Sequence, residues 1–144
     1  MSTNNIFSSK PAQIAHATIK LSNQIFGEDN NIEIAAIGDK DLVFSIADNL
    51  KKFGYSNCSL FKKSNFFYID SEKKKIVDKK KILKEFFVYD LILIGFNDGL
   101  KVISKDMIQV FLKYRKQKPI FFVDVGLPGN VDTEISKINN CYLF

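Results

Sequence analysis

Apolar positions recur along this chain in two alternating rhythms. Between residues 9 and 26, Ile14, Ala17, Ile19, Leu21 and Ile25 repeat at helical spacing behind Ser9, a cap, and Pro11, suited to a first turn. Gly27 ends that segment, and Glu28-Asp29-Asn30-Asn31 reads as a turn. A short unbroken apolar run over 32–37 then stops at Gly38, the pattern of a parallel strand buried on both faces. Helical period returns over 40–53, where Leu42, Val43, Ile46, Ala47 and Leu50 share a face and Gly54 supplies a C-cap. Residues 57–61 form a second short strand. Strand, helix and strand with tight turns make a βαβ unit, with a right-handed crossover expected.

The rhythm weakens over 62–89. Residues 66–70 and 75–77 form either a small hairpin around Ser71-Glu72 or parts of one irregular helix, and the pattern leaves both open. Asp78 suits the N-cap of a helix over 79–87. A third strand is clear over 90–96. Ser104 caps a helix over 105–117, and Pro119 follows it. A fourth core strand spans 120–125, then a short helix 132–137 and a last strand 141–143. Apolar strands alternating with helices predict an α/β chain with a Rossmann-type, doubly wound, mostly parallel sheet. No linker or repeat divides it, so one domain over 1–144 is expected, with a leading helix at 9–27 and the sheet core at 32–144.

Composition changes this picture little. At 144 residues and 46% apolar, the chain can bury a core, and its longest apolar runs are too short to span a bilayer. Residues 1–9 lack the basic-then-apolar order of a secretory signal, so a cytoplasmic location is expected. The formal charge of +5 is concentrated locally at Lys73, Lys74, Lys75, Lys79, Lys80, Lys81 and Lys84, the arrangement of a solvated face. Beyond Phe66, Phe67 and Tyr68 no stacking platform accompanies these lysines, so nucleic acid is not an expected partner. Cys58 and Cys141 lack CxxC spacing and a histidine cluster, which argues for buried small residues and no metal site.

In a doubly wound sheet, ligands bind beyond the carboxyl ends of the strands. A dinucleotide site places Gly-x-Gly-x-x-Gly there, so that backbone amides approach a pyrophosphate at the helix N-terminus. This chain has Gly38-Asp39-Lys40-Asp41-Leu42-Val43, keeping only the first glycine. Lys40 puts a side chain where backbone should approach phosphate, though its ammonium can itself pair with one. Asp39 and Asp41 suit the helix dipole but repel an anion, so a capped helix start without ligand explains them equally well. Val43 in the third glycine's place is expected to remove the closest helix–strand packing. After the second strand, Lys62-Lys63-Ser64 stand where an NAD enzyme carries an acidic residue. Basic residues there suit a 2′-phosphate, hence NADP(H) rather than NAD(H); an exposed basic loop is the alternative.

Two stretches resemble the NADP-binding domain of glutamyl-tRNA reductase, an enzyme of tetrapyrrole synthesis. One is Pro119-Ile-Phe-Phe-Val-Asp124-Val-Gly-Leu-Pro128-Gly-Asn-Val-Asp132, similar to that family's strand and turn. The other is residues 14–27, ending Gln24-Ile25-Phe26-Gly27. Between them, Asp90-Leu-Ile-Leu-Ile and Val102-Ile103-Ser104-Lys105-Asp106-Met107 keep the family's spacing.

The resemblance implies that Gly38 takes the first glycine of the family's Gly-Ala-Gly-Glu-Met turn, Asp41 its glutamate and Leu42 its methionine. Lys63 and Ser64 take the arginine and threonine of its Asn-Arg-Thr segment. Gly95 and Phe96 replace a Ser-Thr pair near the nicotinamide side, Val125 and Gly126 follow the matched Asp124, and Gly129 replaces an arginine. These departures gather at the ligand side and imply NADP(H) binding that is weak or lost. The family's thioester-forming and dimerisation parts have no counterpart here, and neither cysteine falls at the nucleophile position. A redox module served by a partner chain carrying the missing catalytic domain is one expectation. A non-catalytic binding or regulatory domain with a degenerate nucleotide site is the other.

Overall fold

The computed structural model describes residues 9–38, 41–97 and 99–144. Helix α1 (Lys10–Phe26) starts at Ser9, whose hydroxyl accepts from the Ala12 amide, and ends at Gly27 with φ 77°. Strand β1 (Ile34–Gly38), helix α2 (Asp41–Lys52) and strand β2 (Cys58–Lys62) follow as the βαβ pattern predicts. A 3₁₀ turn (Lys63–Phe66) leads into β3 (Phe67–Ile69) and β4 (Lys75–Val77), which pair antiparallel. Of the two readings open for this stretch, the hairpin is the one that forms. Asp70 closes it by accepting from the amides of Glu72 and Lys74.

Asp78 then caps α3 (Lys79–Glu85) through the Lys81 amide. The remaining core elements are β5 (Leu91–Gly95), α4 (Lys105–Tyr114), β6 (Ile120–Asp124), a second 3₁₀ turn (Thr133–Lys137) and β7 (Cys141–Leu143). Two expectations need correction. The helix expected to reach residue 117 stops at Tyr114, and Lys116 and Gln117 take positive φ. Ser104 sits at the N-cap of α4, but its hydroxyl makes no capping bond.

The main sheet has order β2-β1-β5-β6-β7, every neighbouring pair parallel. Strand side chains alternate between its two faces. Ala35, Ile37, Ile92, Ile94, Ile120 and Phe122 point to the layer of α3, α4 and the hairpin. Ile34, Ala36, Leu91, Leu93, Phe121 and Val123 point to α1 and α2. Both faces are buried, which is why these strands read as continuous apolar runs. The chain leaves β1 toward β2 on one side and returns to β5 on the other. The reversal lies between β1 and β5, where ligands of such sheets bind.

The opposite end of the sheet, where the central strands begin, is tied by charge. Asp90, 3% exposed, accepts from the Glu33 amide and from Arg115 Nη2 at 2.8 Å. Arg115 also donates to the carbonyls of Phe87, Tyr89, Lys118 and Pro119. Lys118 Nζ reaches the same Asp90 oxygen at 3.0 Å. Burial alone pushes the Asp90 carboxyl up, but the bonds from Arg115, Glu33 and Lys118 outweigh it and hold it below the usual range.

Candidate functional site

Gly38 and Gly95 are register partners at the carboxyl ends of β1 and β5, facing each other across the reversal. Both are glycine for lack of room. A Cβ on Gly38 would lie 2.9 Å from Val43 Cγ2 and 3.0 Å from the Gly95 carbonyl. Val43 is 2% exposed and packs against the strand ends. The expectation that valine here removes close helix–strand packing is therefore corrected: the strand glycines make the room, and Val43 fills it. Leu42 also packs into the α1–α2 layer. Asp39 and Lys40 lie outside the described residues, as does the side chain of Asp41.

Beyond β1 and β2 a pocket of about 440 Å³ opens, lined by Gly38, Phe44, Lys62, Lys63, Ser64, Phe67, Ile69 and Lys75. Its size is that of small-molecule sites, apolar walls with a few convergent polar groups. Four residues singled out in the sequence, Gly38, Lys62, Lys63 and Ser64, meet here. Lys63 Nζ lies over the Phe96 ring, 5.5 Å from its centroid. Among the described residues, none that lines the pocket is acidic. Ammonium groups beside a hydroxyl form a donor set suited to a phosphomonoester.

Sequence reasoning missed Lys75, Phe67, Ile69 and Phe44 as lining residues. Lys75 was hidden within the lysine run, and only the hairpin register brings it to the pocket. Directly opposed residues share a face, so Ile69 and Lys75 point the same way, as does Phe67 two residues before Ile69.

The other strand ends serve the loop rather than the pocket. Asp124 accepts from the amides of Gly126, Asn130 and Val131, at 3.0, 2.8 and 2.8 Å. Asn130, fully buried, accepts from the Phe96 amide and donates to the Leu100 carbonyl. A Cβ on Gly126 would lie 2.1 Å from Asn130 Oδ1, and one on Gly129 would lie 2.7 Å from Asp124 Oδ2. The matched Asp124 segment is thus a self-bonded loop in which a side chain at position 129 would have to displace the Asp124 carboxylate. The Phe96 ring, 2% exposed, belongs to the core, and Val125 packs over Gly95.

Both cysteines begin strands, Cys58 in β2 and Cys141 in β7, at the end of the sheet away from the pocket. Burial pushes the Cys141 thiol up to about 12. Burial also raises Cys58, against an opposing pull from Lys51. Neither is an activated thiolate.

The sequence pattern of the shikimate / quinate 5-dehydrogenase family matches residues 21–144. The chain belongs to that family. It is 29% identical over 149 aligned residues to a glutamyl-tRNA reductase of Ruthia magnifica, covering 99% of this chain and 35% of that one. A glutamyl-tRNA reductase of Oleidesulfovibrio alaskensis is 27% identical, with 99% of this chain and 32% of that one covered. Among solved structures, glutamyl-tRNA reductase from Methanopyrus kandleri superposes with a TM-score of 0.72 at 15% identity, over 90% of this chain and 34% of that one. A dipicolinate synthase polypeptide from Bacillus halodurans gives a TM-score of 0.57 at 14% identity, over 93% and 45%. These structures share the Rossmann-like fold. The resemblance to glutamyl-tRNA reductase read from the residues holds, and this shikimate / quinate 5-dehydrogenase family chain spans about a third of the length of the curated relatives it matches. No described helix is long and apolar enough to cross a membrane.

Proposed function

We propose that this chain is a cytoplasmic NADP(H)-binding domain of the glutamyl-tRNA reductase type, holding the 2′-phosphate of the dinucleotide at Lys62, Lys63 and Ser64. The observation that carries this is the cationic pocket beside Gly38, at the carboxyl ends of β1 and β2, with no acidic residue among its described lining. Two ammonium groups and a hydroxyl match a dianionic phosphomonoester, and each charge-assisted bond is stronger than a neutral one. Bound NADPH supplies hydride. The chain's own residues bind and orient it; glutamyl-tRNA reduction draws its thioester chemistry from sequence or a partner chain outside these residues.

A second reading, a binding or regulatory domain without chemistry of its own, is favoured by the inert, distant placement of Cys58 and Cys141. The two readings share the nucleotide site and differ in whether hydride is passed on. Thermal melting with NADPH and NADH side by side tests the shared part. A rise with NADPH well above that with NADH is expected. No rise with either at millimolar ligand removes the NADP(H) assignment.

A further inference from the structure

A doubly wound chain ordinarily follows each strand with a helix packed on the sheet. Here β2 is followed by a 3₁₀ turn and the β3–β4 hairpin, which stands off the main sheet as a pair of its own. The hairpin is firmly seated. Phe66 is fully buried, with its ring edge-on to Phe86 at 4.9 Å, and Phe67 meets Phe96 at 6.0 Å. The Asp78 amide donates to the Phe66 carbonyl, closing the base of the hairpin. Its outer end carries Ile69 opposite Lys75, both at the pocket. The Lys75 ammonium lies 5.2 Å from the centroid of the Phe67 ring. Ile69 is 61% exposed, an apolar ledge beside that cation.

Two cations therefore approach one pocket from two elements, Lys63 from the end of β2 and Lys75 from β4, each lying over an aromatic ring. Resting a cation on a ring face limits its freedom. An ammonium held at the wall of a concave site is placed to meet a phosphate entering it. The hairpin, an addition to the alternating pattern, is what completes this arrangement.

We propose that Lys75 is a specificity-determining residue of the pocket, sharing with Lys63 the phosphomonoester that separates a phosphorylated dinucleotide from its unphosphorylated counterpart. This rests on the pocket being the NADP(H) site. Lys74, next along the chain, pairs with Glu72 at 3.1 Å and does not line the pocket. It is an internal control for bulk charge.

The test is calorimetric titration of NADPH, NADH and adenosine 2′,5′-bisphosphate into wild type, K75A, K75Q, K75R and K74A. K75A and K75Q are expected to weaken NADPH and the bisphosphate about tenfold, one charge-assisted contact at a partly exposed site, and to leave NADH unchanged. K75Q removes the charge but keeps a polar side chain, so equal losses in K75A and K75Q report charge rather than packing. K75R is expected to retain most of the affinity and K74A all of it. Wild-type NADPH affinity in K75A, or an equal loss in K74A, overturns the role of Lys75 while a wild-type preference for NADPH leaves the NADP(H) reading standing. A wild type that binds NADPH and NADH alike overturns both.

Discussion

A Cβ placed on Gly95 would stand 2.6 Å from Cγ2 of Val125, closer than carbon atoms approach without displacement. The end of β5 is bare because Val125 covers it. Overpacking of this kind costs about 1–3 kcal/mol, so G95A is expected to lower the urea midpoint accordingly. Trimming the obstacle relieves it: G95A/V125A should recover part of the loss, a coupling visible in a double-mutant cycle. G38A meets the Val43 side chain at 2.9 Å and the Gly95 carbonyl at 3.0 Å, and Val125 is not among its nearest contacts. V125A is not expected to rescue it, and rescue of both variants alike would show that Val125 relieves no specific contact.

The Asp90–Arg115 pair, each side chain about 4% exposed, predicts a large effect for either partner lost alone. Removing one charge of a buried pair typically costs about 3–5 kcal/mol, since the other stays buried and uncompensated. D90N and R115M should each approach that range, and D90N/R115M should cost less than their sum. The Asp90 carboxyl lies below its usual pKa in the folded state. Its contribution is therefore complete above the unfolded value, about 3.9, and is lost as pH falls through the folded one. The gap in urea midpoint between wild type and D90N should narrow from pH 6 to pH 3. An unchanged gap would show that the carboxylate is not what holds Arg115.

The three central strands β1, β5 and β6 were legible because each is buried on both faces and nothing interrupts its apolar run. The edge strands β2 and β7, with Leu60 and Tyr142 exposed, were legible from the alternation of elements around them. The hairpin was ambiguous because three-residue strands carry too few alternations to separate period two from helical period. The early end of α4 was not legible, since residues 115–117 carry no glycine and the positive φ of Lys116 and Gln117 that ends the helix falls on residues that carry no such signal. At the site, Lys62, Lys63 and Ser64 were found by their place after a strand. Lys75 was not, because its partner across the hairpin, Ile69, sets its direction, and pairing is a tertiary fact.

Thiol reactivity offers a check on the inert cysteines. With Cys141 pushed up to about 12 by burial, folded protein at pH 8 should leave it unlabelled by iodoacetamide, and urea should release it. Half-buried Cys58 is expected to react first, though slowly. The raised Cys141 pKa also means that its contribution to stability is intact below the usual thiol value, about 8.5, and declines as pH rises toward the folded one. Rapid double labelling of folded protein at pH 8 would contradict this placement.

Salt dependence separates a phosphate grip from apolar binding. Contacts between exposed ammonium groups and phosphate are screened over a Debye length of about 8 Å at physiological ionic strength and about 3 Å at 1 M. NADPH affinity should fall markedly as salt rises across that range, and the weaker NADH affinity should fall less. Parallel curves for the two ligands would place the discriminating contact away from the lysines.

The most direct measurement is the ratio of NADPH to NADH dissociation constants for wild type and for K62A/K63A, by calorimetry in one buffer. Wild type should favour NADPH by about tenfold or more, and the double variant should lower that ratio several-fold by weakening NADPH alone, with Lys75 holding what remains. A wild-type ratio of one, or a preference undiminished by loss of both lysines, would contradict the assignment of this pocket to the 2′-phosphate.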